Sequence, residues 1–205
     1  MFSNMLTSLL VLATVCGALA SPTSAGNVYS KRHVLNCSNT VRGPIISQAY
    51  ADAKVLATVA SQYIATYGSS DSLYVDYFKT NDPAVVKGYF DAIANDATTQ
   101  TLNCPVQSAE ASCPGNNAFT RQPSGNIYFC DAFFNLADQS ALCTASSLPA
   151  TKSGTMVHEL GHALNHRADI AGSCSASRAL SVADALANTT SYSCFARQVY
   201  RNTQC

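Results

Sequence analysis

The stretch that decides the fold is "GTMVHELGHALNHRADIAG" (154–172), because it concentrates side chains that bind metals. It holds three of the four histidines in the chain and one of its two glutamates. Apolar residues recur at helical spacing through its first half, which predicts an amphipathic helix that packs against a core. The sequence therefore places a small set of ionisable side chains on one rigid element.

The spacing of these side chains matches a zinc site. His158 and His162 are four residues apart, so on a helix they lie one above the other, about 6 Å apart along the axis. Zinc–nitrogen bonds of about 2.1 Å allow both imidazoles to bind one ion. Glu159 is turned about 100° from His158 and lies beside the metal. There it can accept a proton from a zinc-bound water, which is the general-base role in metalloproteases.

A catalytic zinc has three protein ligands and an open position for water, so one ligand remains to be found. No glutamate follows Glu159, and the sixth residue after His162 is Ala168, so two common positions for a third ligand are closed. The candidates that remain are His166, Asp169 and Asp184.

The chain geometry favours Asp169 among these candidates. His166 would lie about 6 Å beyond His162 on a continued helix, which is too far to share the ion. Asp169 lies seven residues after His162. An extended run of seven residues spans more than about 20 Å, which is enough to bring Asp169 back over the site. We predict that the ligands are His158, His162 and Asp169, with His166 as a nearby alternative if the helix breaks at once.

Two further residues bear on this prediction. The turn requires the helix to stop near Leu164, and Asn165, which tolerates the left-handed conformation, is placed to end it. Asp184 lies in "ALSVADAL", where a position on the helix surface is the simpler interpretation.

The N-terminal region predicts secretion. Residues 1–20 have an apolar core and end in Ala-Leu-Ala, which is typical of a cleaved signal peptide. Residues 21–32 are polar and end in Lys31-Arg32, a dibasic pair typical of a short pro-segment that is cut in the secretory pathway. We expect residues 33–205 to form a single extracellular domain, because a chain of this length is typical of one domain.

The cysteine count agrees with an extracellular location. Removing Cys16 with the signal peptide leaves eight cysteines, an even number that predicts four disulfides in a secreted chain. Asn36 and Asn188 each begin an Asn-x-Ser/Thr glycosylation pattern, and the sequence leaves open whether either is used.

The charge pattern excludes two classes of partner. The chain has 12 basic and 12 acidic residues. Lys31 and Arg32 are the only charged side chains before residue 33, so 10 basic residues remain against 12 acidic, a net charge of −2. There is no basic stripe for nucleic acid and no polybasic patch for a membrane. We expect protein or peptide substrates and a monomer.

The coarse pattern along the chain indicates a predominantly helical α+β domain with a small sheet or hairpin. Helical spacing of apolar residues is found in four segments, whereas Gly, Pro, Asn and Ser punctuate short runs in 99–130. The segments predicted to be helical are 43–68, 71–96 with a break, 147–164 and 177–202.

Several segments resemble the deuterolysin family, the secreted fungal zinc endopeptidases of the aspzincin group. "YFKTNDPAVVKGYFDAIA" (77–94) is similar to the family's N-terminal helical half. "NIYFCDAFF" (126–134) looks like the run before the zinc helix, and "ALSVADALANTTSYSCFARQVY" (179–200) looks like its C-terminal helices. The resemblance covers essentially the whole predicted mature chain.

The resemblance implies a zincin-like fold with a central HExxH helix, one zinc per chain and endopeptidase activity on proteins. It places Asp169 on the family's aspartate ligand. It also implies three disulfides, which leaves two cysteines to form a fourth. The pairs are Cys37–Cys104, Cys113–Cys130, Cys143–Cys205 and the remaining Cys174–Cys194.

The chain departs from the family pattern at positions linked to catalysis. Phe133 occupies the place of a family Tyr that is thought to steady the oxyanion, and Asp169 is all that survives of a Gly-Thr-x-Asp-x-x-Tyr segment. Tyr192 is a candidate to supply the missing hydroxyl. A purely structural role for Tyr192, as a buried aromatic side chain in a helix, is at least as simple an interpretation. The alternative function is therefore a catalytically weak or inactive zinc-binding protein, an effector or adhesin on the same scaffold.

Overall fold

The computed structural model describes residues 34–97, 100–104 and 110–205. The predicted signal peptide and pro-segment, together with the first residue of the predicted domain, lie outside these residues. The prediction of a predominantly helical α+β domain is confirmed, since nine α-helices accompany one small sheet in the described ranges. No helix within those ranges is long and apolar enough to cross a bilayer.

Among the described residues, three α-helices precede the last three strands along the chain, and six follow them. Capping explains several of their starts: Asp71, Asp82 and Thr151 each accept a hydrogen bond from a backbone N–H of the first turn. The bounds are α1 Arg42–Tyr67, α2 Ser72–Phe78, α3 Pro83–Ala94, α4 Asp131–Phe134, α5 Ala141–Thr144, α6 Lys152–Asn165, α7 Cys174–Arg178, α8 Val182–Ala187 and α9 Thr189–Gln204.

Four short strands form one mixed sheet in the order β1-β2-β4-β3. β1 and β4 both run parallel to β2, and β3 pairs antiparallel with β4. β3 is thus an edge strand of the sheet, and it lies against α6. The strands are β1 Val34–Asn36, β2 Thr101–Asn103, β3 Ala118–Arg121 and β4 Asn126–Phe129.

The core lies between the long helices and is rich in aromatic side chains. Phe195 of α9 is fully buried and has the rings of Phe78 and Phe90 at centroid distances of 5.2 and 5.8 Å. Met156, Val157 and Leu160 give α6 its buried apolar face. This packing fixes α6 against α1 and α9, so the histidines on its other face have a rigid support.

Four disulfides cross-link the described residues: three are the pairs that the family resemblance implies, and the fourth joins the two cysteines that remained. They join Cys37 to Cys104, Cys113 to Cys130, Cys143 to Cys205 and Cys174 to Cys194. The last of these ties the segment after α6 to α9.

The secondary structure differs from the sequence prediction in three places. The region 177–202 is not one continuous run of helix, because the chain breaks at residues 179–181 and again at Asn188, which has an extended backbone. Residues 147–151 precede α6 rather than belonging to it, since Thr151 is its N-cap. β1 and the short helices α4 and α5 were not predicted, because elements of three or four residues have no detectable hydrophobic period.

Candidate metal centre

The two histidines of α6 face the same point. The Nε2 atoms of His158 and His162 are 3.2 Å apart, as expected for residues one helical turn apart on one face. The Nδ1 atom of His162 lies 2.7 Å from the carbonyl oxygen of Arg167, and that of His158 lies 3.4 Å from the hydroxyl of Thr190. If Nδ1 of His162 carries the proton, its Nε2 keeps a lone pair for a metal.

Asp169 completes a three-residue cluster from a loop that follows α6. Its Oδ1 lies 2.9 Å from His158 Nε2, and its Oδ2 lies 3.2 Å from His162 Nε2. The three possible ligand atoms all lie within 4.8 Å of one another. Two imidazoles and one carboxylate form the donor set of many catalytic zinc sites, so these residues fit a zinc ion.

Asn188 holds the loop that carries Asp169. Its side-chain oxygen accepts hydrogen bonds from the backbone N–H groups of Ile170 and Ala171, both at 3.1 Å. Its amide nitrogen donates to the hydroxyls of Ser177 and Ser191. Asn188 is fully buried, so the amide is inaccessible for glycosylation. The loop position therefore depends on a residue nineteen places further along the chain.

The helix ends one residue later than predicted. α6 includes Asn165, and it is His166 that takes the left-handed conformation, with φ of 49° and ψ of 38°. The backbone N–H groups of His166 and Arg167 both point to the carbonyl oxygen of Gly161, which closes the last turn. The reversal sends the chain back toward the histidines, and His166 itself is not part of the ligand cluster.

Contacts within the cluster shift the pKa values of Asp169 and His162. Hydrogen bonds with His158 and then His162 hold the pKa of Asp169 well below its usual range. Burial lowers the pKa of His162, but the contacts with Asp169 and the Arg167 carbonyl outweigh it and leave the pKa raised. A carboxylate that stays ionised beside two imidazoles provides the negative charge that a divalent cation needs.

Glu159 lies beside the cluster and is almost fully buried, with 3% of its surface exposed. The hydroxyl of Thr120, on the edge strand β3, donates to Glu159 Oε2 at 2.8 Å. Burial raises the pKa of Glu159, and His158 and Thr120 offset only part of that effect. A carboxylate with a raised pKa is suited to take and return a proton near neutral pH.

The start of α9 packs closely against the cluster. The hydroxyl of Thr189 lies 3.0 Å from Asp169 Oδ1 and within 3.5 Å of both imidazole Nε2 atoms. A Cβ at Gly161 would lie 3.0 Å from the Thr189 methyl group. The glycine inside α6 therefore makes room for Thr189, a neighbour that the sequence did not indicate.

An open cleft of about 730 Å³ runs across α6, between β3 and the loop after the helix. Glu159, Asp169 and His166 all line it, although His166 stands outside the ligand cluster. Asp184 lies away from the cleft, where it accepts a hydrogen bond from Ser181 at the start of α8. That arrangement is the surface role expected for it.

The structure does not bring Tyr192 to the cleft. Its side chain is 2% exposed, it packs against Phe78 and Phe90, and its hydroxyl donates to the carbonyl oxygen of Leu186 at 2.9 Å. Its candidate role as a transition-state stabiliser is wrong in this structure, because that hydroxyl is already bonded inside the core. Phe133 is also fully buried.

Four polar residues around the site were missed as functional residues by the sequence analysis: Thr120, Asn188, Thr189 and Thr190. Asn188 was considered only as a glycosylation position. Their contacts join residues 18 to 39 positions apart, and no local spacing signals such contacts.

Comparisons with known proteins identify the family and several relatives. The model of the aspzincin M35 family, described as lysine-specific metallo-endopeptidase, matches residues 63–197. A neutral protease 2 homologue of Aspergillus fumigatus is 26% identical over 200 residues, which cover 91% of this chain and 43% of the relative. A neutral protease 2 homologue of Ajellomyces dermatitidis is 31% identical over 134 residues, 62% of this chain and 38% of the relative. The chain thus spans less than half the length of these relatives.

A solved structure shares the fold. The zinc peptidase from Grifola frondosa superposes with a TM-score of 0.63 at 18% identity, covering 78% of this chain and 96% of that one. At this identity the match establishes the fold alone.

Proposed function

This chain belongs to the aspzincin M35 family, and we propose that it is a secreted zinc-dependent endopeptidase. The observation that carries the proposal is the convergence of His158, His162 and Asp169 on one point beside Glu159. Three protein ligands with an open side toward a cleft are the arrangement of a catalytic zinc site. The described residues contain a single such cluster, so we assign one zinc per chain.

In the proposed mechanism each residue has a distinct role. When bound, zinc polarises the scissile carbonyl and lowers the pKa of a bound water toward about 7. His158, His162 and Asp169 would hold the ion. Glu159 takes the proton of the attacking water and passes it to the leaving amine, while Thr120 fixes one of its carboxylate oxygens.

The substrates we propose are proteins or peptides in an extended conformation. β3 is the edge strand of the sheet, and Ala118, Phe119 and Thr120 from it line the cleft. An extended peptide can pair with the free backbone of an edge strand and so cross the site beside Glu159. This binding mode needs no second subunit, which agrees with a monomer.

The proposed location is extracellular. Four disulfides in a domain of this size are typical of proteins that fold in an oxidising compartment. The composition of residues 1–20, read as a signal peptide, supports the same location.

The decisive experiment is casein digestion by the purified protein, before and after removal of metal with a chelator and after addition of zinc. We expect zinc to restore activity. Glu159→Gln should keep zinc but lose about 10²- to 10⁴-fold in turnover, because an amide cannot accept the proton. Wild-type turnover in this variant would refute the general-base role, and activity that is indifferent to the chelator would refute the zinc mechanism.

One observation favours a second candidate, a catalytically weak or inactive zinc-binding protein. Among the described residues, no tyrosine lines the cleft. Phe133 lacks a hydroxyl, and the hydroxyl of Tyr192 is bonded in the core. Loss of one oxyanion donor typically costs about 10²- to 10³-fold in rate. The same assay decides: bound zinc without cleavage of casein identifies this second candidate.

A further inference from the structure

The ionisable side chains of the cleft outside the proposed metal centre are all basic. Glu159 and Asp169 are the carboxylates among the lining residues, and both are assigned to catalysis and metal binding. The remaining ionisable lining residues are Arg167, Arg197 and His166. A substrate cation would therefore find no free counter-ion in this part of the chain.

Arg197 is the more deeply placed of the two arginines. It is 8% exposed, and its guanidinium is held by defined contacts. Its Nη1 donates to the carbonyl oxygen of Pro149 at 2.5 Å, and its Nε donates to that of Ser193 at 3.2 Å. Its Nη2 lies 3.2 Å from the sulfurs of Cys174 and Cys194. The charged group is thus oriented in advance.

No carboxylate neutralises Arg197. All 12 Asp and Glu side chains belong to the described residues, and none of them forms an ion pair with it. Burial lowers the pKa of Arg197, but a guanidinium stays protonated in proteins. Buried charges in proteins are nearly always paired with an opposite charge. The partners of Arg197 are neutral carbonyl oxygens and sulfurs, so a positive charge without a counter-ion lies at the wall of the cleft and indicates a place for an anion.

The neighbouring helix leaves space for this side chain. A Cβ at Gly154 would lie 2.5 Å from Cδ and 2.9 Å from Nε of Arg197, so only glycine lets the arginine cross α6 at this height. Gly154 precedes His158 by one helical turn, about 6 Å along the axis. That offset is about two residues of an extended peptide, which rises about 3.3 Å per residue.

We propose that Arg197 forms a subsite for a carboxylate group of the substrate, close to the scissile bond. This inference rests on the proposed endopeptidase function and specifies its substrate class. The carboxylate is either an acidic side chain or the C-terminal carboxylate of a peptide. The matched family is described as lysine-specific, and a lysine placed beside Arg197 would instead meet a like charge with no carboxylate to offset it.

The test uses the zinc-loaded full domain and a set of fluorogenic peptides that differ at one position near the scissile bond. That position carries Glu, Gln, Ala or Lys on either side of the bond, and each peptide is made with a free and an amidated C-terminus. We expect kcat/KM for a carboxylate-bearing peptide to exceed that for its Gln or amidated partner by about ten- to a hundredfold. The Glu/Gln and free/amidated pairs identify which carboxylate is bound.

Three variants assign the preference to a residue. Arg197→Gln should abolish it, and Arg197→Lys should retain part of it because the charge remains. Arg201→Gln is the matched control, since Arg201 lies one turn further along α9 and contacts the carbonyl oxygens of Ala145 and Ser146 outside the cleft. It should leave the preference unchanged.

The outcomes separate the two proposals. Failure to cleave any peptide would overturn the proposed function. Cleavage with no preference, or with a preference for Lys, would overturn the carboxylate subsite even if every Arg197 variant failed to fold. A carboxylate preference that survives in a folded Arg197→Gln variant would overturn the assignment to Arg197.

Discussion

The three proposed ligands come from two regions that are built differently. His158 and His162 belong to α6, and their spacing alone brings them together. Asp169 belongs to an irregular loop and reaches the same point only because Asn188 and Thr189, at the start of α9, hold it there. The helix side of the site is thus set by local geometry and the loop side by long-range contacts, so the loop side should be the easier one to disrupt.

The largest effect should come from removing the loop ligand itself. Asp169→Ala leaves two ligands, and we expect zinc affinity to fall by more than about a hundredfold, since losing even a residue that only hydrogen-bonds to a ligand typically costs about 10- to 100-fold. His166→Ala, on the same loop, should bind zinc as tightly as the wild type. Competition with a fluorescent chelator measures both. The reverse result would transfer the ligand role to His166.

Removing the disulfide that closes the loop side should weaken both stability and metal binding. The bridge between Cys174 and Cys194 spans 20 residues, and its loss costs about 3 kcal/mol of unfolding free energy in the chain-entropy model. We expect the double serine variant to lose zinc affinity as well.

The control is the double serine variant of Cys143 and Cys205. Their bridge has a sequence separation of 62, and neither cysteine lines the cleft. This variant should lose about 4 kcal/mol yet bind zinc normally. Denaturant titration and zinc competition separate the two effects. Equal zinc loss in both variants would mean that only global stability matters.

Substitution of Asn188 tests the hydrogen bonds that position the loop. Asn188→Ala leaves the N–H groups of Ile170 and Ala171 without their acceptor, at a cost of about 1–3 kcal/mol. Zinc affinity should fall by about 10- to 100-fold while the α-helical circular dichroism is retained. Asn202→Ala, an exposed change on the same helix, is the control. Unchanged zinc binding in Asn188→Ala would remove Asn188 from the site.

The smallest effect concerns the contact between the two sides. Gly161→Ala pushes a methyl group against Thr189 and should destabilise the protein by about 1 kcal/mol, despite the better helix propensity of alanine. In a Thr189→Ser background, which lacks the opposing methyl, the same change should stabilise by up to about 1 kcal/mol.

Gly88 provides the matched control for that cycle, because it lies in α3 with nothing within 4 Å of its Cβ position. Gly88→Ala should stabilise the wild type by up to about 1 kcal/mol. If Gly161→Ala behaves like Gly88→Ala in the wild type, Thr189 does not restrict the helix. Thermal unfolding of the four variants and the wild type measures these differences.

The sequence predicted the features that depend on local periodicity. The spacing of His158 and His162 fixed their common face, and the apolar residues of α6 fixed the buried side of the helix. The reach of seven extended residues allowed Asp169 to return to the cluster, and the family resemblance placed it on the aspartate ligand, with His166 left as an alternative. The first two of these arguments use only helix geometry, and the last needed the resemblance as well.

The features that the sequence could not supply depend on distant partners. Thr120 meets Glu159 across 39 positions, and Arg197 crosses Gly154 across 43. The prediction for Tyr192 failed for the same reason. Its hydroxyl donates to the carbonyl oxygen of Leu186 on α8, a contact that depends on how α8 and α9 pack. The end of α6 differed by one residue, which is the ordinary uncertainty of a helix boundary.

The dependence of Asp169 on Asn188 also orders events during synthesis. α6 leaves the ribosome before α9, and the spacing of its two histidines depends on α6 alone. The hydrogen bonds that hold the loop cannot form until Asn188 has been made. A growing chain would therefore lack the third proposed metal ligand until Asn188 has been made, so the proposed peptidase activity would arise only when the fold is nearly complete.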